Sequence, residues 1–298
     1  FLTEHKKQHG NNPFFLQVSF NAIHNFTHQL PQKYLDEMGL KGMQDWQPEV
    51  ESYADWYKKG RYPNNPEGRE YYLGQLSYLD KEIGNVMAAL KKQGLAENTL
   101  VIYIGDNGGS TPIYADNGPL RGSKYTLYEG GIRVPMIVHW PDKYPEAKVL
   151  ENVVSAMDLY PTILKTAGIE VPETIDGVDL SSLLNGEEPQ LSHELLFWDS
   201  GHEVAVRDGK WKYHWAKDDL YAVKQHVKLE LGEFLYDLEK DPNERVNLAS
   251  KHPEIVNRLK SKYKQWSKNN AAPSNFKSQK VKKKVKVSKT AKQNRETK

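Results

Sequence analysis

Thr99-Leu-Val-Ile-Tyr-Ile-Gly-Asp106-Asn107-Gly-Gly109 is the stretch that decides the fold. Its first half is a short apolar run rich in β-branched residues, and Gly105 to Gly109 stop it. Upstream, Tyr72, Leu76, Leu79, Ile83, Val86, Met87 and Leu90 recur at spacings of three and four. That pattern predicts an amphipathic helix over residues 70–93, ended by Gly94. Downstream, Val134 to Pro141 repeats the apolar run. Helix, short turn, buried strand and polar loop make the rhythm of an α/β sheet with covered faces.

Working outward, Pro13 to Ile23 reads as another buried strand, stopped by polar residues. Residues 37–69 hold Gly39, Gly42, Pro48, Gly60, Pro63, Pro66 and Gly68 and read as an irregular insertion carrying Trp46, Trp56 and Tyr57. Those aromatics either stack on a sugar ring or pack the insertion onto the body. Residues 156–167 read as a helix started by Asp158 and stopped by Gly168. After Pro189 the pattern changes to short antiparallel strands over 194–216 and 233–238, with turns at Asp199-Ser-Gly201 and Asp208-Gly209. A helix over 253–267 closes this part. The expected division is 1–190, 191–267 and a Lys-rich tail, 268–298, expected to be disordered.

Composition sets outer limits. The 298 residues suffice for one large domain, or for a domain and a smaller one. No apolar run reaches the roughly 18 residues that a membrane-spanning helix needs. There is no cysteine, which excludes disulfides, thiolate metal sites and cysteine nucleophiles within this stretch. The start, Phe1-Leu-Thr-Glu-His-Lys-Lys7, is polar and is no signal peptide, and a first residue other than Met suggests a piece of something longer. Residues 277–298 carry ten Lys or Arg against one Glu, a net of +9. Set against the overall +2, the remaining residues carry −7, so the body is mildly acidic.

Ligands of open α/β sheets sit beyond the carboxyl ends of strands. Three polar groups belong there: Asn21 and His24, then Asp106 and Asn107, then Arg121 to Lys124. Asp106 and Asn107 offer oxygen ligands to a hard cation, although Asp-Asn-Gly-Gly is also good turn chemistry. Lys124 either holds a tetrahedral anion in a loop rich in backbone donors or is a solvated surface lysine. His24 either donates a proton to a leaving group or simply caps a strand end, and His28 shares that site or sits on its rim.

The combination is more specific than its parts. The Thr99–Gly109 stretch, with Asn117-Gly-Pro-Leu-Arg-Gly-Ser-Lys124 and Tyr128-Glu-Gly-Gly-Ile-Arg-Val-Pro135, closely resembles the type I sulfatase family. Phe15 to His24, Met157-Asp-Leu-Tyr-Pro-Thr162 with Asp176-Gly177, Val204 to Lys212 and Leu235 to Leu248 extend the resemblance over residues 13–267. It implies an alkaline-phosphatase-like α/β/α sandwich, present in part, with a small C-terminal antiparallel sheet and helix. It implies Asp106 and Asn107 as ligands of calcium, with magnesium the other option. It implies Lys124 on the sulfate or bridging oxygen, His24 as general-acid candidate beside the leaving group, and His28 and Arg121 as substrate contacts. The implied substrates are sulfated carbohydrates or aryl sulfates, and the implied location is periplasmic or extracellular.

The family's nucleophile is a formylglycine made within a Cys/Ser-x-Pro-x-Arg motif, and no such motif occurs here. The acidic pair supplying further metal ligands is also unmatched, so the resemblance is to the C-terminal part of such enzymes. A fragment is the expected reading. A phosphonate or phosphate monoester hydrolase of the same fold and a catalytically dead binder of sulfated glycans are the alternatives. The basic tail is expected either to be a solvated end or to contact a polyanion, and nucleic acid is disfavoured by the acidic body.

Overall fold

The computed structural model describes residues 1–24, 30–42, 44–187, 193–220, 222 and 227–270. His28 and the basic tail beyond residue 270 lie outside the described residues. The chain opens with helices α1 (Leu2–His9), α2 (Gln32–Met38), α3 (Tyr53–Lys59) and the long α4 (Gly68–Lys92). It continues through β1 (Val101–Ile104), the short α5 (Glu129–Ile132), β2 (Met136–His139), α6 (Leu159–Thr166) and α7 (Ser181–Leu184). Four strands follow, β3 (Leu196–Asp199), β4 (Glu203–Asp208), β5 (Trp211–Ala216) and β6 (Gly232–Asp237), and then α8 (Pro253–Lys268).

β3 to β6 form one antiparallel sheet in sequence order; turns at Ser200-Gly201 and at Gly209, which has φ 52°, set the β3–β4–β5 part. One face carries Val204, Val206, Tyr213 and Leu235 against Val256 and Leu259 of α8. The other face packs Phe234, Tyr236 and Ala216 with Tyr128, Leu229 and Leu238. With both faces covered, β4 is buried without a break from Glu203 to Val206.

The N-terminal part departs from expectation in three places. Among the described residues β1 and β2 pair only with each other and antiparallel, Val101 opposite His139 and Ile104 opposite Met136. Residues 13–23, expected as a buried strand, form none, and Phe15 is 70% exposed. The apolar run has no strand to pair with among the described residues, and backbone pairing, not hydrophobicity, makes a strand. The insertion 37–69, expected to be irregular, contains α3, because Ser52 caps it: Ser52 Oγ accepts from Asp55 N at 3.2 Å.

Inside that insertion the aromatic residues pack together. Tyr53 stands edge-on to Trp46 at 5.4 Å and also contacts Trp56 and Tyr57. Trp46 Nε1 donates to Glu51 O and Trp56 Nε1 to Gln44 O, so both indoles tie the loop down. Tyr71 and Leu35 anchor the insertion in a core with Leu30 and Ile113.

Candidate active site

β1 delivers Asp106 and Asn107 two and three residues past its end, and Gly105 N donates to Pro135 O at 3.2 Å to hold the exit against β2. The next turn lies directly on another backbone. Gly108 N donates to Gly131 O at 2.9 Å, and a Cβ on Gly108 would stand 1.9 Å from Gly130 O. Only glycine permits that approach. The loop 121–131 is therefore laid against 105–109 as backbone on backbone.

Two polar side chains lock the pair of loops. Asn117 accepts from Gly109 N at 2.8 Å and donates to Gly109 O and Gly122 O at 3.1 and 3.0 Å. Ser123, fully buried, donates to Gly109 O at 3.0 Å and accepts from Thr111 N at 3.1 Å. Lys124 N then donates to Gly109 O at 3.1 Å, so its backbone is fixed within two residues of Asn107. Asn117 and Ser123 stand in the motif read from sequence, but their task as staples emerges only from the folded loops.

His24 completes the cluster. Burial holds its imidazole below the usual histidine value, and the Lys124 ammonium adds to that; the Asp106 carboxylate acts in the opposite sense, and Arg61 again lowers it. Residues 61, 106 and 124, from three other segments, thus lie within electrostatic reach of His24. Arg61 was not among the residues predicted from sequence. It lies in the insertion, where no motif distinguishes it.

Asp106 is exposed, and Asn107 Nδ2 donates to Gly108 O at 2.9 Å, which leaves its Oδ1 as the atom able to coordinate. A carboxylate and an amide oxygen are the donor type a hard divalent cation takes, and they are two of the roughly six to eight such a cation needs. Among the described residues no three His, Asp or Glu side chains gather as a metal cage.

Arg121, expected to contact substrate, makes its contacts elsewhere. Its Nη1 donates to Glu244 O at 3.0 Å, its Nη2 lies 3.8 Å from Glu230, and its guanidinium stacks 4.3 Å from the Tyr128 ring centroid. It clamps the Lys124 loop to the C-terminal sheet. A buried ionic group does the same from below. Lys212, with no exposed surface, lies 2.9 Å from both Glu129 and Glu244, and Glu244 accepts from Glu129 N at 2.6 Å. Glu203 accepts from Leu127 N at 3.1 Å and pairs with His214 at 2.8 Å. The sheet thereby grips the loop that carries Lys124.

Comparison with known proteins follows the same lines. A family model described as Sulfatase matches residues 1–169, and one described as N-sulphoglucosamine sulphohydrolase, C-terminal, matches residues 123–269. Human arylsulfatase A is 36% identical over 216 residues, covering 65% of this chain and 42% of its own length. Mouse arylsulfatase J is 28% identical over 295 residues, covering 86% of this chain and 45% of its own. An N-acetylgalactosamine-6-O-sulfatase of Bacteroides thetaiotaomicron is 32% identical over 203 residues, covering 61% of this chain and 39% of its own. The chain thus spans less than half the length of these relatives. Among solved structures, Ps i-CgsB in complex with k-i-k-neocarrahexaose superposes with a TM-score of 0.69 at 26% identity, over 92% of this chain and 54% of that one. The fold is the alkaline-phosphatase-like α/β fold expected from the sequence, with its antiparallel sheets and helices.

Proposed function

The chain belongs to the sulfatase family, and from that premise we propose that it forms the leaving-group side of a site that hydrolyses sulfate esters, those of carbohydrates above all. The observation that supports this reading is the convergence of His24, Asp106 and Lys124 at the end of β1.

Each residue has a task that its chemistry suits. The Lys124 ammonium neutralises negative charge on the sulfate or on the bridging oxygen as the S–O bond lengthens. His24, in its protonated form, gives its proton to the departing alkoxide. Its surroundings lower its affinity for a proton, and an anionic group arriving beside it raises that affinity again. Asp106 and Asn107 Oδ1 would hold a divalent cation, calcium or magnesium, together with ligands from outside this pair, and that cation when bound supplies Lewis-acid polarisation of the sulfate. The formylglycine nucleophile belongs to the proposal through the resemblance alone, as does export to the periplasm or the cell exterior. No helix among the described residues is long and apolar enough to cross a membrane.

Hydrolysis of 4-nitrophenyl sulfate by the gene product that carries this chain tests the reading. Turnover should fall by at least about a hundredfold in Lys124→Ala, the scale on which one electrostatic stabiliser acts. Turnover of 4-nitrophenyl phosphate in place of the sulfate would move the assignment to phosphate monoesters. Sulfated-glycan binding without turnover of either would make the protein a binder.

A further inference from the structure

Arg61 is the cation that the site above does not use. It follows α3 and precedes the tight turn Tyr62–Asn64, which packs against both α4 and the turn Thr111–Ile113. Thr111 is bonded through its backbone to Ser123, the neighbour of Lys124. The fold therefore carries Arg61 to the same end of β1 as Lys124, within reach of His24. Among the described residues Arg61 forms no ion pair, and its Nε is buried without a hydrogen-bond partner. A buried donor left unmatched in an otherwise stapled site needs an explanation.

Charge supplies one. A sulfate ester carries a single negative charge, which the Lys124 ammonium alone already matches. Arg61 is a further positive group, with a planar fork of donors suited to a second sulfate or a carboxylate. Two residues before it, Lys59 lines a cleft of about 400 Å³ formed with Lys41, Glu51, Trp56 and Asn65. Lys41 and Lys59 face Asp45, Glu51 and Glu67 there, with Lys59 paired to Glu51 at 2.6 Å, so the cleft is not cationic, and Trp56 and Tyr71 put aromatic surface in its wall. That is a lining for a sugar ring.

We propose that Arg61 binds a second anionic group on the alcohol part of the substrate, and that the cleft lined by its sequence neighbours Lys59 and Asn65 receives the sugar ring next to the sulfated one. This rests on the sulfatase reading above. It makes Arg61 a specificity determinant, selecting substrates with two anionic groups over those with one.

Calorimetric titration of the full chain with three probes tests it: inorganic sulfate, a monosulfated neocarrabiose and its disulfated counterpart. The wild type should bind the disulfated disaccharide about tenfold more tightly than the monosulfated one, the scale of one charge-assisted hydrogen bond. Arg61→Gln should erase that preference. Arg61→Lys keeps the charge but loses the fork, and should retain about a third of it while guarding against a folding defect. Equal weakening toward all three probes in Arg61→Gln, or no preference in the wild type, would overturn the proposal. Sulfate binding indifferent to Lys124→Ala would instead strike the sulfatase reading on which it stands.

Discussion

β4 is buried from Glu203 to Val206 without a break, whereas β1 and β2 leave Tyr103 and Ile137 in solvent, Ile137 61% exposed. The two sheets differ in where their partners come from. β3, β4 and β5 pair through short turns, β6 returns beside β5 after a longer connection, and α8 covers one face. The N-terminal part has apolar surface of similar quality, in residues 13–23, where α1 covers Phe14 alone while Phe15, Val18 and Phe20 stay exposed, and on α4, where Leu73 and Leu76 stay exposed. The site sits at the junction and is held from both sides. Loop 121–131 is gripped by the sheet through Arg121, Lys212 and Glu203 and stapled to the loop that leaves β1 at Gly108 and Gly109.

The largest effect expected from this contrast is on activity. Residues 1–298 alone should give no detectable 4-nitrophenyl sulfate turnover, with or without calcium. The nucleophile that the family resemblance implies has no source here, since the chain has no cysteine and no Ser-x-Pro-x-Arg run. Calcium-dependent turnover that disappears in Lys124→Ala would show that the junction suffices by itself.

Next comes the grip of the sheet. Lys212→Met leaves the Glu129 and Glu244 carboxylates buried without their shared cation, and should destabilise the chain by roughly 3–5 kcal/mol in a urea titration. Glu129 also sets a pH dependence. Burial raises its carboxyl, but Lys212, with Arg207 and Arg133, outweighs burial and holds it below 4.5. A depressed carboxylate contributes stability that is complete above its unfolded value and lost as pH falls through the folded one. The stability deficit of Lys212→Met in urea should therefore be largest near neutral pH and shrink as the pH falls below about 4.5, where the wild type loses the Glu129 contribution. A deficit independent of pH would mean that Glu129 and Lys212 do not couple.

Gly108→Ala attacks the same junction from the β1 side. The new methyl would meet Gly130 O, which is backbone and cannot swing away. A loss of about 1–3 kcal/mol is expected, with weaker sulfate binding as the loops part. Unchanged sulfate affinity would show that Lys124 does not depend on that contact.

These positions also show what was legible in the sequence. The α4 periodicity, the β1 run and the hairpins of the C-terminal sheet could be read because each pattern and its turn signals are local. The strand expected at residues 13–23 could not, because alternation and apolarity say that a segment wants burial and not which backbone will pair with it. Likewise the Asp106-Asn107 and Lys124 motifs pointed to the site, whereas Arg61 and the turn of Arg121 toward Glu244 depend on contacts between segments far apart in the chain.

The smallest effect is the sharpest probe of the N-terminal surface. Gly84 lies exposed in the middle of α4, has no positive φ, and a Cβ there would meet nothing within 4 Å. Glycine inside a helix costs about 0.5–1 kcal/mol relative to alanine, through the backbone freedom it loses on folding. Gly84→Ala should therefore stabilise the chain by that amount, raising the urea midpoint without changing the slope. The sign is informative beyond its size. Were another segment or a second copy seated closely on this stretch of α4, the added methyl would collide with it and the variant would be destabilised. A stabilising result locates the exposed face of α4 in solvent, and a destabilising one gives that face an occupant.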